Sequence, residues 1–196
     1  MKIAAYLMVG AVALMGGQLS AGEPVAAGVL KGVAVETQKK ILVVYYSRSG
    51  NTKKVAEDIA RTLNADMEQL IDKKDRSGAL GYMVAGKDAA LQNLAKIEPV
   101  TKDPALYDLV VLGTPVWSWN MAPALRTYII DHKAALKQIA IFTTAGNTKP
   151  DKIAAKMEAL ADKKASALAG FMESDLKEQN RAVYEGKLHA FIALMK

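Results

Sequence analysis

Ile41-Leu42-Val43-Val44-Tyr45-Tyr46, then Ser47-Arg48-Ser49-Gly50-Asn51-Thr52, then a periodic stretch from Lys53 to Leu63: the reading of these residues decides the fold. The first six form an unbroken apolar run rich in β-branched and aromatic side chains, which predicts a strand of a parallel sheet buried on both faces. After the polar six, apolar residues return at Val55, Ala56, Ile59, Ala60 and Leu63, with Lys54, Glu57, Asp58 and Arg61 between them. That is the period of a helix with one buried side. The polar six are therefore a strand-to-helix turn.

Such a turn leaves several backbone N–H groups unpaired at the helix start, where the dipole adds roughly half a positive charge, so that an anion is favoured there. Ser47, Ser49, Asn51 and Thr52 add hydroxyl and amide groups, and Gly50 permits close approach of the backbone. A phosphate is the natural guest. Lys53 and Lys54 sit in the first helical turn, where each opposes the dipole by about 0.3–1 kcal/mol. A bound dianion would relieve that conflict; the alternative is that both lysines simply extend into water.

The run Val43 to Thr52, followed by Ala56 and Ile59, resembles the flavodoxin signature, whose Ser/Thr-x-Ser/Thr-Gly-x-Thr loop wraps the phosphate of FMN. The resemblance extends from Lys40 to the C-terminus and is to the short-chain form, because few residues separate the last strand from the last helix. It implies that Ser47, Arg48, Ser49, Gly50, Asn51 and Thr52 bind cofactor. Arg48 either adds charge beside the phosphate or reaches solvent.

The remaining chain reads as alternating strands and helices. Asp66 to Ile71 alternates as a half-buried edge strand should, residues 72–81 are loop, and a weaker helix spans Tyr82 to Ile97. Gly81 to Lys87 has Walker A spacing, but Asp88 stands where that motif needs Ser or Thr and no buried strand precedes it, so nucleotide hydrolysis is excluded there. Leu109 to Gly113 is the clearest central strand. Thr114 to Pro123 follows as a loop, and Pro123 then opens a helix. Lys137 to Thr143 is the fourth strand, Pro150 to Leu160 a helix, Ala165 to Met172 the fifth strand, and Val183 to Leu194 the closing helix. This alternation predicts an α/β fold: a three-layer, doubly wound, five-stranded parallel sheet in the order 2-1-3-4-5.

In such a sheet ligands bind at the carboxyl ends of the strands, beside the switch point. Two tryptophans in the loop after the central strand are poor core fillers, and an indole stacked on a flat heteroaromatic adds about 0.5–1.5 kcal/mol beyond burial. The competing reading is that they fasten the loop to the domain. In the resemblance, Thr114, Pro115, Val116, Trp117, Ser118 and Trp119 form the first loop that holds the isoalloxazine, with Trp117 the first choice for stacking and Trp119 the second. Asn120 and Ser118 offer polar contacts. Thr144, Ala145, Gly146 and Asn147 correspond to the second loop, which here lacks the tyrosine that flavodoxins often place there.

The 196 residues are 51% hydrophobic and 23% charged, which suits one globular domain. The absence of cysteine excludes disulfides, thiolate metal sites and a cysteine nucleophile. Two distant histidines, His132 and His189, make hydrolase chemistry a poor fit. A net charge of +6 invites comparison with nucleic-acid binders, but lysines alternate with acids, as in Lys73-Lys74-Asp75-Arg76, without a basic stripe or stacking aromatics. No nucleic acid is expected. The excess charge suits steering of an acidic partner.

Residues 1–22, with one lysine and an uncharged run from Ile3 to Met15, have the layout of a secretory signal, or of an uncleaved anchor if they are retained. Residues 23–38 read as linker, and the folded domain starts at 39. An exported, periplasmic protein is the expectation, touching membrane only through that segment. The expected function is an FMN-binding redox protein with a redox partner protein or a small acceptor such as a quinone. Alternatives are an FMN-dependent NAD(P)H:quinone reductase and a flavin-free binding module. Neither a catalytic acid or base nor a metal ligand set is expected.

Overall fold

The computed structural model describes residues 39–195, so the expected signal or anchor segment at 1–22 and the expected linker at 23–38 lie outside the described residues. Parallel strands β1 (Ile41–Tyr45), β2 (Asp66–Gln69), β3 (Leu109–Trp117), β5 (Ile139–Ala145) and β6 (Ala165–Met172) run in the order β2-β1-β3-β5-β6. This is the expected doubly wound order. A short strand, β4 (Asn120–Met121), lies off that path and pairs antiparallel with the end of β3.

Side chains of a strand point alternately to opposite faces, and both faces of this sheet are covered. Leu42, Val44 and Tyr46 enter one core with Leu112, Ile141, Leu125 and Met157. There α2 (Gly78–Ala90), α3 (Pro123–His132) and α4 (Asp151–Ala161) form the outer layer. Ile41, Val43 and Tyr45 enter the other core, where Ile59 of α1 (Asn51–Leu63) meets Phe142, Phe171 and the Phe191 of α5 (Arg181–Ala193). A run buried on both sides needs no polar alternation, which is why Ile41 to Tyr46 is apolar throughout.

Two expectations are corrected. Thr114 to Trp117 is not loop: β3 continues through it, Pro115 pairing with Thr144, and a two-residue turn at Ser118 and Trp119 reverses the chain into β4. β-branched and aromatic residues at 114, 116 and 117 favour the extended backbone. The second helix runs over Gly78–Ala90, ending where Gln92 takes a left-handed φ of 58°. The apolar residues Leu91 and Leu94, which carried the expected helix onward, are exposed. The connection to β3 is fastened instead by the buried Glu68 carboxylate, which accepts from the Thr101 hydroxyl at 2.7 Å and from the amides of Thr101 and Lys102 at 3.2 and 3.1 Å.

Because β1, β3 and β5 are neighbours, the segments leaving their carboxyl ends lie side by side along one rim.

Candidate functional site along the sheet rim

Gly50 is the residue before α1 and adopts φ 95°, ψ −20°, a left-handed conformation that favours glycine. Among the described residues no side chain caps the helix, which leaves its first amides without a capping partner. The Gly50 amide donates to Ser47 Oγ at 3.2 Å, which closes the turn beneath them. The two lysines of the first turn fold back along the helix: Lys53 reaches Glu57 at 3.8 Å and Lys54 reaches Asp58 at 3.0 Å. Lys54 also sits 4.8 Å from the centre of the Tyr184 ring.

Arg48 is exposed and leans toward the loop after β2. Its guanidinium lies 5.0 Å from the centre of the Tyr82 ring, and Nη1 donates to the Arg76 carbonyl at 3.4 Å. With Ser47 and Ser49 it lines a cavity of about 470 Å³ shared with the loop after β2. Beneath that loop, Arg76 is buried between the carboxylates of Asp72 and Asp88. Asp88 thereby closes an ion-pair network, and the Walker-spaced segment lies within α2 instead of forming a loop.

The turn is tied to its neighbour along the rim. Thr52 Oγ1 and Thr144 Oγ1 are 2.8 Å apart, both residues buried. Thr114 Oγ1 accepts from the Ala122 amide at 2.9 Å and donates to the Pro115 carbonyl at 2.9 Å, holding the hairpin base. Thr143 Oγ1 is buried with no partner among the described residues.

The two tryptophans part company at the hairpin. Trp117 is 8% exposed and meets Tyr46 edge-on, ring centres 5.5 Å apart at 87°. Trp119 is 76% exposed at the tip. Ser118 and Trp119 both adopt positive φ, 45° and 55°. That backbone matches the twist of a two-residue hairpin, yet Asn and Gly are its usual occupants and a bulky residue there is strained. Lys156 Nζ of α4 donates to the Trp119 carbonyl at 3.0 Å, steadying the tip. Trp119 and Asn147 together line a cavity of about 480 Å³ with Lys149, Lys152, Ile153 and Lys156. Trp117, the first choice for stacking, is thus largely buried against Tyr46, and Trp119, the second, presents an exposed ring face.

Asn120 Oδ1 accepts from Arg126 Nη2 at 2.9 Å. Arg126 is buried, no carboxylate pairs with it among the described residues, and burial lowers its guanidinium pKa. Sequence reasoning missed Arg126, Lys149, Lys152 and Lys156. Only the position of Arg126 four residues into a helix opened by Pro123 hinted at it. The predicted residues therefore group as the Ser47–Thr52 turn, the hairpin and the Thr144–Asn147 loop, joined directly by Thr52 and Thr144. A larger cavity of about 600 Å³ between α1 and α5 contains none of them.

The sequence model of the family described as Flavodoxin matches residues 40–185. Among solved structures, the chain is similar to the Lactobacillus acidophilus NCFM flavoprotein in complex with FMN, at 25% identity and a TM-score of 0.59, covering 70% of this chain and 96% of that one. It is also similar to the apo-form of the flavoprotein from Lactobacillus acidophilus NCFM, at 27% identity and a TM-score of 0.54, covering 71% of this chain and 96% of that one.

Proposed function

This chain belongs to the flavodoxin family, and from that membership we propose that it is an FMN-binding redox protein that carries electrons through the bound flavin. The observation that carries the reading is the uncapped, left-handed start of α1 at Gly50, which offers a phosphate a set of outward amides. The residues present fit the group. Ser49, Asn51 and the first amides of α1 would hold the phosphate, and Thr52, bonded to Thr144, ties that turn to the end of β5. Trp119 and the Asn147 loop border a cavity of about 480 Å³ with room for a planar ring. FMN, when bound, supplies the one- and two-electron redox chemistry. The chain would position it, shield one ring face with the Trp119 indole and set the polarity of its surroundings. No side chain of the set need act as an acid or base.

Titration of the purified full chain with FMN and with riboflavin, followed by flavin fluorescence, tests this. FMN is expected to bind tighter than riboflavin by about two orders of magnitude, the weight of one or two charge-assisted hydrogen bonds to the phosphate. No flavin uptake, or equal affinity for the two, overturns it.

A second reading, an FMN-dependent NAD(P)H:quinone reductase, is favoured by the second loop: Thr144 to Asn147 carries no aromatic residue, which leaves the other ring face open to a substrate. Steady-state turnover with quinone acceptors tests it, and no turnover with any of several sinks it. We further propose export, with residues 1–22 as a signal or anchor. Fractionation with N-terminal sequencing checks this, and a cytoplasmic protein that retains Met1 contradicts it.

A further inference from the structure

Helix α2 carries its apolar residues outward. Its inward side is made of Gly81, Ala85 and Ala89, all buried. Gly81 lies so close to the preceding loop that an added Cβ would sit 2.3 Å from the Arg76 carbonyl carbon. On the outward side Leu80 is 79% exposed and Met83 69%, and Leu91, directly after the helix, is 61% exposed. A surface helix ordinarily has the reverse arrangement, and no core contact of the fold accounts for this one.

The charges around that face are sorted as well. Asp72 and Asp88 are drawn inward to Arg76, and Glu98 is paired with Lys73 at 3.2 Å. Asp75 is the one carboxylate of this region without a cation, whereas Arg48, Lys87 and Lys96 have no carboxylate partner among the described residues. Lys87 lies in the midst of the apolar stripe, where its long stem can rest on apolar surface while the ammonium reaches a polar headgroup.

We propose that the outward face of α2 docks on an anionic lipid surface. Exposed Leu80, Met83 and Leu91 on one side, with Lys87 among them and the Arg48 guanidinium 5.0 Å from the Tyr82 ring, fit apolar contact with acyl chains and cationic contact with headgroups. No described helix is long and apolar enough to cross a membrane, so α2 lies along the surface. Tyr82 and Met83 also line a cavity of about 310 Å³ with Val116 and Trp117, which places the docking face next to the hairpin. A consequence, resting on the redox reading, is that the electron acceptor is an apolar, planar, lipid-soluble molecule reached from the bilayer.

Because the chain has no cysteine, Met83→Cys in the full-length protein gives a single attachment point for an environment-sensitive fluorophore. Val183→Cys on α5, 52% exposed on the other side of the sheet, is the control. Vesicles of phosphatidylcholine mixed with phosphatidylglycerol are expected to raise emission at position 83 several-fold with a blue shift. Pure phosphatidylcholine should raise it far less, and adding Lys87→Glu with Lys96→Glu should abolish the response. No change at 83, an equal change at 183, or a change at 83 that grows with protein concentration in the absence of lipid overturns the proposal. The last of these would assign the face to a second copy of the chain. The readout needs no flavin, so docking and cofactor uptake fail independently.

Discussion

Thr52 on α1 and Thr144 at the end of β5, 92 residues apart, share one buried hydrogen bond of 2.8 Å. The turn after β1 and the end of β5, which flank the end of β3, are thereby locked together before any ligand arrives. Thr52→Val or Thr144→Val alone leaves a buried hydroxyl without a partner and should cost about 1–3 kcal/mol in urea unfolding, and the double change should cost less than the sum. Additive costs would show that the two hydroxyls do not depend on each other.

The hairpin tryptophans should separate by readout. Trp117→Ala removes a buried ring that leans on Tyr46 and is expected to destabilise by about 3–5 kcal/mol. Trp119→Ala should leave the unfolding midpoint nearly unchanged while weakening FMN affinity about tenfold, the size of a stacking contact. Measured together, unfolding and FMN titration distinguish the two; a loss of affinity confined to Trp117→Ala would reverse the assignment.

Gly81→Ala should be disproportionately damaging. The added methyl meets backbone atoms of Arg76, its carbonyl oxygen at 2.6 Å among them, and backbone cannot swing aside. An expected loss of about 2–4 kcal/mol contrasts with Gly186→Ala in α5, where nothing lies within 4 Å and a small gain in helix propensity follows. Thermal unfolding of the pair checks this.

Acid should weaken the β2–α2 connection. Burial pushes the Asp88 carboxyl up, but hydrogen bonds from Asn93, Arg76 and Lys74, with the nearby Lys74 charge, outweigh it and bring it down to about 2. An unfolded aspartate titrates at about 3.9, so the unfolded chain binds more protons in between. The contribution is complete above pH 4 and lost as pH falls through 2. Urea midpoints across that window should fall for the native chain and fall less for Asp88→Asn.

The parts visible in the sequence were those whose meaning is local. Ile41 to Tyr46 announces a strand buried on both faces, and Ser47 to Thr52 announces a strand-to-helix turn, since the apolar run, the polar break and the return of the helical period sit in one short window. The β3–β4 hairpin was hidden because Pro115 reads as a break and Ser118-Trp119 lacks the Asn or Gly that such a turn ordinarily shows. The α2 boundaries were blurred because an outward apolar side gives a period with no sense of which side faces in. The Thr52–Thr144 bond, the grip of Lys156 on the Trp119 carbonyl and the burial of Arg126 depend on tertiary neighbours far along the chain. No window of sequence contains them.

The positive φ values at Ser118 and Trp119 have a thermodynamic corollary. An asparagine–glycine pair would occupy the same backbone without crowding a Cβ, so a sturdier hairpin is two substitutions away. That the chain instead carries an indole at this corner makes the hairpin tip a place of unclaimed stability, with a flat aromatic plate held out into solvent.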